Sequence, residues 1–189
     1  MKIYKDVLDP EFAKKLYNYG KERVTGNAKE SDLTQSWLNL YQWDEKIVHD
    51  STAVFCCMLP DRLLGELKQN LIDYNKLDLF DESREYLEKV MCYVWTQGSY
   101  IPIHDDGIYK KAVTIYLNEN WKEEFGGQIN WLEDGVIKTF TPEFNSAALN
   151  DTLNIHSTSK VTVKNSPRIT IQMFFTNFAT QIEEEFIYD

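Results

Sequence analysis

Two histidines, a carboxylate and an arginine are spaced along the second half of this chain in an order that points to metal and anion chemistry. The first run reads Ile101-Pro102-Ile103-His104-Asp105-Asp106, the second Asn154-Ile155-His156-Ser157, and the third Ser166-Pro167-Arg168-Ile169-Thr170-Ile171. Three histidines occur in 189 residues, and two of them, His104 and His156, stand at the ends of segments that read as β-strands. In a strand, residues i and i+2 share a face, so His104 and Asp106 would grip one ion together while Asp105 points to the opposite side. With His156 arriving from a distant strand, two imidazoles and one carboxylate would hold one face of a cation and leave its other positions open. That ligand set suits a non-haem Fe(II) oxygenase. An isolated histidine is more often a hydrogen-bonded structural residue; the ordered series argues for ligands here.

An open, three-ligand iron needs a cosubstrate to chelate it, and a carboxylate at the far end of that cosubstrate needs a fixed cation. Arg168 opens the run Arg-Ile-Thr-Ile-Gln-Met-Phe-Phe. Its alternation puts Arg168, Thr170 and Gln172 on one face and Ile169, Ile171, Met173 and Phe175 on the other. A guanidinium buried in a β-fold without an anionic partner is costly, and its planar fork matches a carboxylate bidentately. A dicarboxylate such as 2-oxoglutarate fits that requirement.

With these residues in place the chain resembles the Fe(II)/2-oxoglutarate-dependent dioxygenases, in particular their prolyl 4-hydroxylase-like branch. The resemblance rests on His104-x-Asp106, the distal His156 and Arg168-x-Thr170 leading into an aromatic-rich strand. It is sharpened by Trp95-x-x-Gly98 ahead of the first histidine, with Trp where the family usually has Tyr. Thr114-Ile-Tyr116-Leu-Asn118-Glu-Asn-Trp121 is similar to the strand that carries the family's cosubstrate-binding tyrosine, and Phe125-Gly126-Gly127 matches the Gly-Gly that opens the next strand. Together these cover residues 90–176, and the earlier residues match only loosely.

The resemblance implies Fe(II) held by His104, Asp106 and His156, with Arg168, Tyr116 and Thr170 binding 2-oxoglutarate, and O2 as the oxidant. Ascorbate would keep the iron reduced. The implied reaction decarboxylates 2-oxoglutarate to succinate and CO2 while an amino-acid side chain is hydroxylated, the first expectation being a prolyl residue in a peptide or protein. Halogenating relatives replace the carboxylate ligand with a small residue; Asp106 is retained, which favours hydroxylation. The alternative is hydroxylation of a free amino acid or another small metabolite. Two further readings rank lower: a nucleic-acid demethylase, whose second arginine would fall where Phe174 stands, and a non-catalytic jelly-roll binding protein. Tyr93 and Trp95 share a strand face, and one of them is a candidate to line the cosubstrate pocket, although core packing suffices for either. Substrate choice is expected to reside in loops over the barrel mouth, at 108–111 and 121–125. His49 receives no role.

Composition bounds the partners. Thirty acidic residues against 20 basic ones give a net charge of −10, which repels polyphosphate on average, so no nucleic acid is expected. The same charge favours a neutral or basic peptide. Cys56, Cys57 and Cys92 are an odd number without metal-type spacing, and the N-terminus lacks the apolar run of a signal peptide. No apolar window reaches the ~18 residues of a membrane helix. The expectation is a soluble, cytoplasmic protein with reduced thiols; the sequence says nothing of its oligomeric state.

The strands and helices around these groups read as one catalytic domain, 1–189. Its fold class is mainly β with flanking helices (α+β): helical or irregular support over about 1–88, a double-stranded β-helix (jelly-roll, cupin-like) core over about 89–178, and a tail at 179–189. Asp9-Pro10 starts a helix running to about Arg23, after a strand-like Ile3–Leu8. Residues 31–51 read as loops with a short strand. Pro60-Asp61 starts a second helix through Tyr74, with leucines at helical spacing, and Phe80–Leu87 is a short helical or irregular piece. Eight strands then follow, at 90–95, 100–106, 112–118, 128–132, 136–140, 146–149, 153–156 and 168–176, which is the number a jelly roll needs. Glu133-Asp134-Gly135 signals a hairpin, and Asn165-Ser166-Pro167 a turn into the arginine strand.

Overall fold

Alternation along the arginine strand divides the fold into an outer apolar layer and an inner polar one. A computed structural model describes residues 1–24, 54–79, 86–107, 109–151 and 154–176. Among these, ten strands and two α-helices follow in the order β1 (Lys2–Tyr4), α1 (Pro10–Val24), β2 (Val54–Met58), α2 (Asp61–Asp73), β3 (Tyr86–Trp95), β4 (Ile101–His104), β5 (Lys111–Tyr116), β6 (Ile129–Glu133), β7 (Val136–Phe140), β8 (Ser146–Asn150), β9 (His156–Thr158) and β10 (Arg168–Thr176). A six-stranded sheet has the order β1-β8-β5-β10-β3-β2 and a four-stranded sheet the order β4-β9-β6-β7. Every pairing is antiparallel. The two sheets form the expected jelly-roll core, with the helices on one side.

The apolar face of β10, Ile169, Ile171, Met173 and Phe175, joins Cys92, Val94, Val113, Ile115 and Leu149 in one cluster with Phe12, Ala13 and Leu16 of α1 and Leu63, Leu67 and Leu71 of α2. Each helix presents its stripe at the i, i+4 spacing expected of a helix that buries one side. Asp9 caps α1 as its position before Pro10 predicts: its Oδ1 accepts from the backbone N–H groups of Glu11 and Phe12, both at 3.0 Å, satisfying donors that the first turn leaves orphaned. Where α1 crosses the sheet, a Cβ on Gly20 would stand 2.7 Å from Ile169 Cγ2 and 3.0 Å from Cys92 Sγ, so the glycine sets the closeness of helix and sheet.

The elements differ from the sequence reading in instructive places. β2 was not anticipated: Val54, Cys56 and Cys57 are all buried, and a strand covered on both faces shows no period to read. β3 begins at Tyr86, so Tyr86 and Leu87 belong to a strand instead of a helical piece; a 3-10 turn, Leu77–Leu79, precedes it. Residues 80–85, the loop-and-strand segment 31–51 with His49, and the C-terminal tail lie outside the described residues. The Asp134-Gly135 hairpin forms as expected, with Glu133 opposite Val136 and φ values of 52° and 75° at the two turn residues, the left-handed pair of a type I′ turn. No helix among the described residues is long and apolar enough to cross a membrane.

Gly20 and Gly65 should therefore respond oppositely to substitution. Gly20→Val overpacks the α1–sheet contact and should destabilise the protein by roughly 1–3 kcal/mol. A Cβ on Gly65 meets nothing within 4 Å, so Gly65→Ala should stabilise α2 by up to about 1 kcal/mol. Thermal or urea denaturation of the two variants against the parent reads both signs.

Candidate active site

β4 and β9 are neighbours in the four-stranded sheet, and their register sets His104 opposite His156, with ring centroids 4.3 Å apart. Each ring is aimed by its own chain: His104 Nδ1 lies 2.8 Å from the Pro102 carbonyl oxygen and His156 Nδ1 2.8 Å from that of Asn154. A carbonyl only accepts, so each Nδ1 carries a proton, which makes Nε2 the nitrogen through which each ring can bind a metal. Asp106 Oδ1 is 3.7 Å from His156 Nε2, and one ligand atom from each of His104, Asp106 and His156 fits within 4.8 Å of the others.

The three groups meet by a route the strand argument did not foresee. β4 ends at His104 and β9 begins at His156, so Asp106 is carried by a turn instead of by a strand, and His156 opens its strand instead of closing one. Asp105 is exposed and its Oδ1 accepts the Gly107 N–H at 3.0 Å, a turn-forming bond. Asn150, at the end of β8, then fixes the carboxylate: its Nδ2 donates to Asp106 Oδ2 at 2.9 Å, while its Oδ1 accepts the Asn154 N–H at 3.1 Å. One buried amide thus ties the carboxylate to the segment that delivers His156. Sequence reasoning missed Asn150, because Asn150-Asp151 between two strand-like segments reads as an ordinary turn.

Deeper between the sheets, Arg168 is 2% exposed. Its Nη1 donates to the Gly127 carbonyl, its guanidinium carbon lies 4.1 Å from the Trp95 ring centroid and 5.6 Å from that of Tyr116, and its Nε has no partner among the described residues. No carboxylate among the described residues pairs with it. Burial accordingly pulls its pKa down to about 10, with Tyr116 alone acting to raise it; it remains a cation at neutral pH. Burial pushes Tyr116 up to about 12 against the pull of Arg168, so the phenol keeps its proton and can donate. Thr170 lies opposite Tyr116 and accepts the Trp95 Nε1 hydrogen bond at 3.1 Å. Trp95 therefore lines the arginine, while Tyr93 stacks beside it at 6.2 Å.

Two backbone devices hold the arginine in place. The Asn118 side chain donates to the Pro167 carbonyl at 2.8 Å and accepts the Ile169 N–H at 2.6 Å, standing in for a strand partner on both sides of Arg168. Gly126 and Gly127 both have φ of +71°; a Cβ on Gly126 would meet the Lys160 carbonyl oxygen at 1.9 Å, and one on Gly127 would meet Arg168 Nη1 at 2.9 Å. Only glycine permits this approach.

The family model for the 2OG-Fe(II) oxygenase superfamily matches residues 90–176, the span from β3 to β10 that carries every residue just described. The chain thus carries a 2OG-Fe(II) oxygenase domain over those residues. As such it is an enzyme whose chemistry uses Fe(II), 2-oxoglutarate and O2, and the donor set and uncompensated arginine are suited to both ligands. The oxygenase fold is shared with a Pseudomonas putida prolyl-4-hydroxylase at 14% identity and TM-score 0.67, covering 93% of this chain and 91% of that one. It is shared also with a Trichoplax adhaerens prolyl hydroxylase in complex with a hypoxia inducible factor peptide fragment, at 16% identity and TM-score 0.72, covering 96% and 86%. The epimerase SnoN of nogalamycin biosynthesis is similar at 12% identity and TM-score 0.65, covering 93% and 76%. No curated protein matches by sequence.

The two loops assigned to the mouth separate in this oxygenase. Tyr109 packs its ring 4.6 Å from that of Phe174, and Lys89 Nζ lies 4.7 Å from the Tyr109 centroid, at the end of β10 remote from Arg168. Residues 121–125 instead close the arginine end, where Trp121 Nε1 donates to the Gly126 carbonyl at 2.8 Å. Chain direction explains this: β5 runs towards Arg168, so the loop leaving it emerges at that level.

Burial first, and the neighbouring His156 second, hold His104 below its ordinary pKa of 6.5, which keeps it in its ligand form. The folded-state pKa thus lies under the unfolded one. As pH falls through the unfolded value the unfolded chain takes up a proton that the folded chain refuses, and stability is lost. The thermal midpoint of metal-free protein should fall from about pH 8 to about pH 5, and His104→Asn, which cannot titrate, should make that fall shallower.

Proposed function

We propose that this oxygenase holds Fe(II) through His104, Asp106 and His156, binds the far carboxylate of 2-oxoglutarate through Arg168 and Tyr116, and hydroxylates a prolyl residue of a peptide or protein. The observation that carries the reading is the buried Arg168, a cation with no anion beside it among the described residues. A charge in that setting is stabilised only when an anion enters, and a carboxylate suits its fork. Tyr116 supplies an O–H donor to the same anion, and Thr170, occupied as an acceptor by Trp95, keeps its own hydroxyl proton to direct inward.

Bound at these groups, the iron and cosubstrate supply oxidative decarboxylation of 2-oxoglutarate by O2, with succinate and CO2 as products and one oxygen atom delivered to the substrate. The protein's own part is placement. The Pro102 and Asn154 carbonyls fix both imidazole tautomers, and Asn150 holds one carboxylate oxygen of Asp106 so that the other faces the histidines. Trp95 covers one face of the arginine and keeps water from it.

The prolyl assignment is supported by the mouth and by the relatives. Tyr109 and Phe174 present an aromatic pair at the end of β10 remote from Arg168, a surface on which a proline ring packs, and Phe174 occupies the position that a nucleic-acid demethylase would give to arginine. Two of the similar structures are prolyl hydroxylases, one of them with a peptide fragment. The acidic chain adds long-range attraction for a basic segment, an effect that added salt should weaken.

Incubation of proline-containing peptides with enzyme, Fe(II), ascorbate and 2-oxoglutarate should yield a gain of one oxygen on proline by mass spectrometry, with matching succinate. A peptide library left unmodified while a free amino acid stimulates succinate release would replace the peptidyl reading with small-molecule hydroxylation. His156→Ala should lose Fe(II) binding and turnover together. Arg168→Ala should raise the 2-oxoglutarate requirement at least about tenfold, since charge-assisted hydrogen bonds are worth roughly 1.5–3 kcal/mol, and Tyr116→Phe should do so more mildly. An unchanged requirement in Arg168→Ala would transfer the role to another cation.

A further inference from the structure

Two buried side-chain nitrogens lack a hydrogen-bond partner among the described residues, Arg168 Nε and Trp131 Nε1. The arginine is accounted for by the carboxylate it awaits. The tryptophan is not. Trp131 lies in β6, 8% exposed, directly across the β6–β9 ladder from His156. Its indole bridges the two sheets, in one cluster with Tyr116 and Ala148 of the opposite wall and Phe140 of β7. The indole N–H is a donor and nothing else, and a buried donor without an acceptor is destabilising. Apolar packing alone does not require that N–H, so it calls for an acceptor that enters the barrel from outside.

The surroundings define that acceptor. Tyr116 packs in one cluster with Trp131 and has its ring 5.6 Å from the Arg168 guanidinium, so three donors follow one another across the gap between the sheets, which selects an anion with oxygens at both ends. Register separates the ends. Gly127, at the entrance to β6, accepts from Arg168, whereas Trp131, further along the same strand, is level with His156. We infer that Trp131 is a cosubstrate-binding residue, donating its indole N–H to the carboxylate of 2-oxoglutarate at the metal end, while Arg168 and Tyr116 take the carboxylate at the other. The inference rests on the 2-oxoglutarate reading above and adds a contact to the half of the cosubstrate for which that reading supplies no protein donor. Trp131 thereby fixes the orientation of the chelating end before substrate arrives.

The test uses the full chain loaded with Zn(II), a diamagnetic, redox-inert stand-in for Fe(II) that allows binding without turnover. Trp131→Phe identifies the Trp131 indole N–H resonance in a spectrum of the nitrogen-15-labelled protein, and Trp131→Tyr serves if the phenylalanine variant does not fold. On saturation with 2-oxoglutarate that resonance should move downfield. By calorimetry Trp131→Phe should bind 2-oxoglutarate about tenfold more weakly than the parent, a factor that corresponds to 1.4 kcal/mol. A parent that binds 2-oxoglutarate with the Trp131 resonance unmoved, and a Trp131→Phe variant of parental affinity, would overturn the inference and leave the 2-oxoglutarate reading standing. A parent that does not bind 2-oxoglutarate would overturn both.

Discussion

A guanidinium buried without an acidic neighbour among the described residues is the constraint on which the rest of this structure depends. Removing such a charge from water is costly and is tolerated only where geometry and further hydrogen bonds compensate it. Around Arg168 the compensation is partial and comes from groups that carry no negative charge: the Gly127 carbonyl, the Trp95 face and the Tyr116 ring. Much of the neighbouring chain exists to supply them. Gly126-Gly127 bends the backbone until a carbonyl faces the arginine, Asn118 clamps the residues on either side of it, and Trp95 is anchored in turn by Thr170. The protein stabilises the cation enough to fold and leaves the remainder to a ligand.

The metal end obeys a different rule. There the groups are two imidazoles and one carboxylate, and the problem is orientation. Backbone carbonyls solve it for both rings and Asn150 solves it for Asp106. The two ends are joined by β6, which touches the arginine at one extremity and stands beside His156 at the other.

What was legible in the sequence follows from how locally each feature is determined. The alternation of β10 separates Arg168, Thr170 and Gln172 from the isoleucines because a half-polar strand has period two, and that division holds. The Asp9-Pro10 start of α1 and the Asp134-Gly135 hairpin are decided by a few adjacent residues and were equally readable. β2 was not, since its apolar run has no polar face to betray a period. The roles of Asn118, Asn150 and Trp131 escaped for another reason. Each depends on a partner far along the chain, and in isolation an asparagine reads as a turn and a tryptophan as core. The chemistry of Asp106 was visible but its geometry was not: same-face spacing on a strand pointed to the right residue, although a turn pinned by Asn150 holds it.

The two sheets of the sandwich differ in thickness of cover. The six-stranded sheet that bears Arg168 lies between two helices and the interior, whereas the four-stranded sheet that bears both histidines leaves Ile103, Leu132, Ile137 and Ile155 open to solvent. Elements with fewer buried contacts open at lower free energy. By that measure the arginine-bearing sheet is the more firmly held half of the molecule and the histidine-bearing wall the half that opens at lower cost. A ligand that spanned the gap between the sheets would fasten the second wall to the first, so occupancy would itself act as a brace across the barrel.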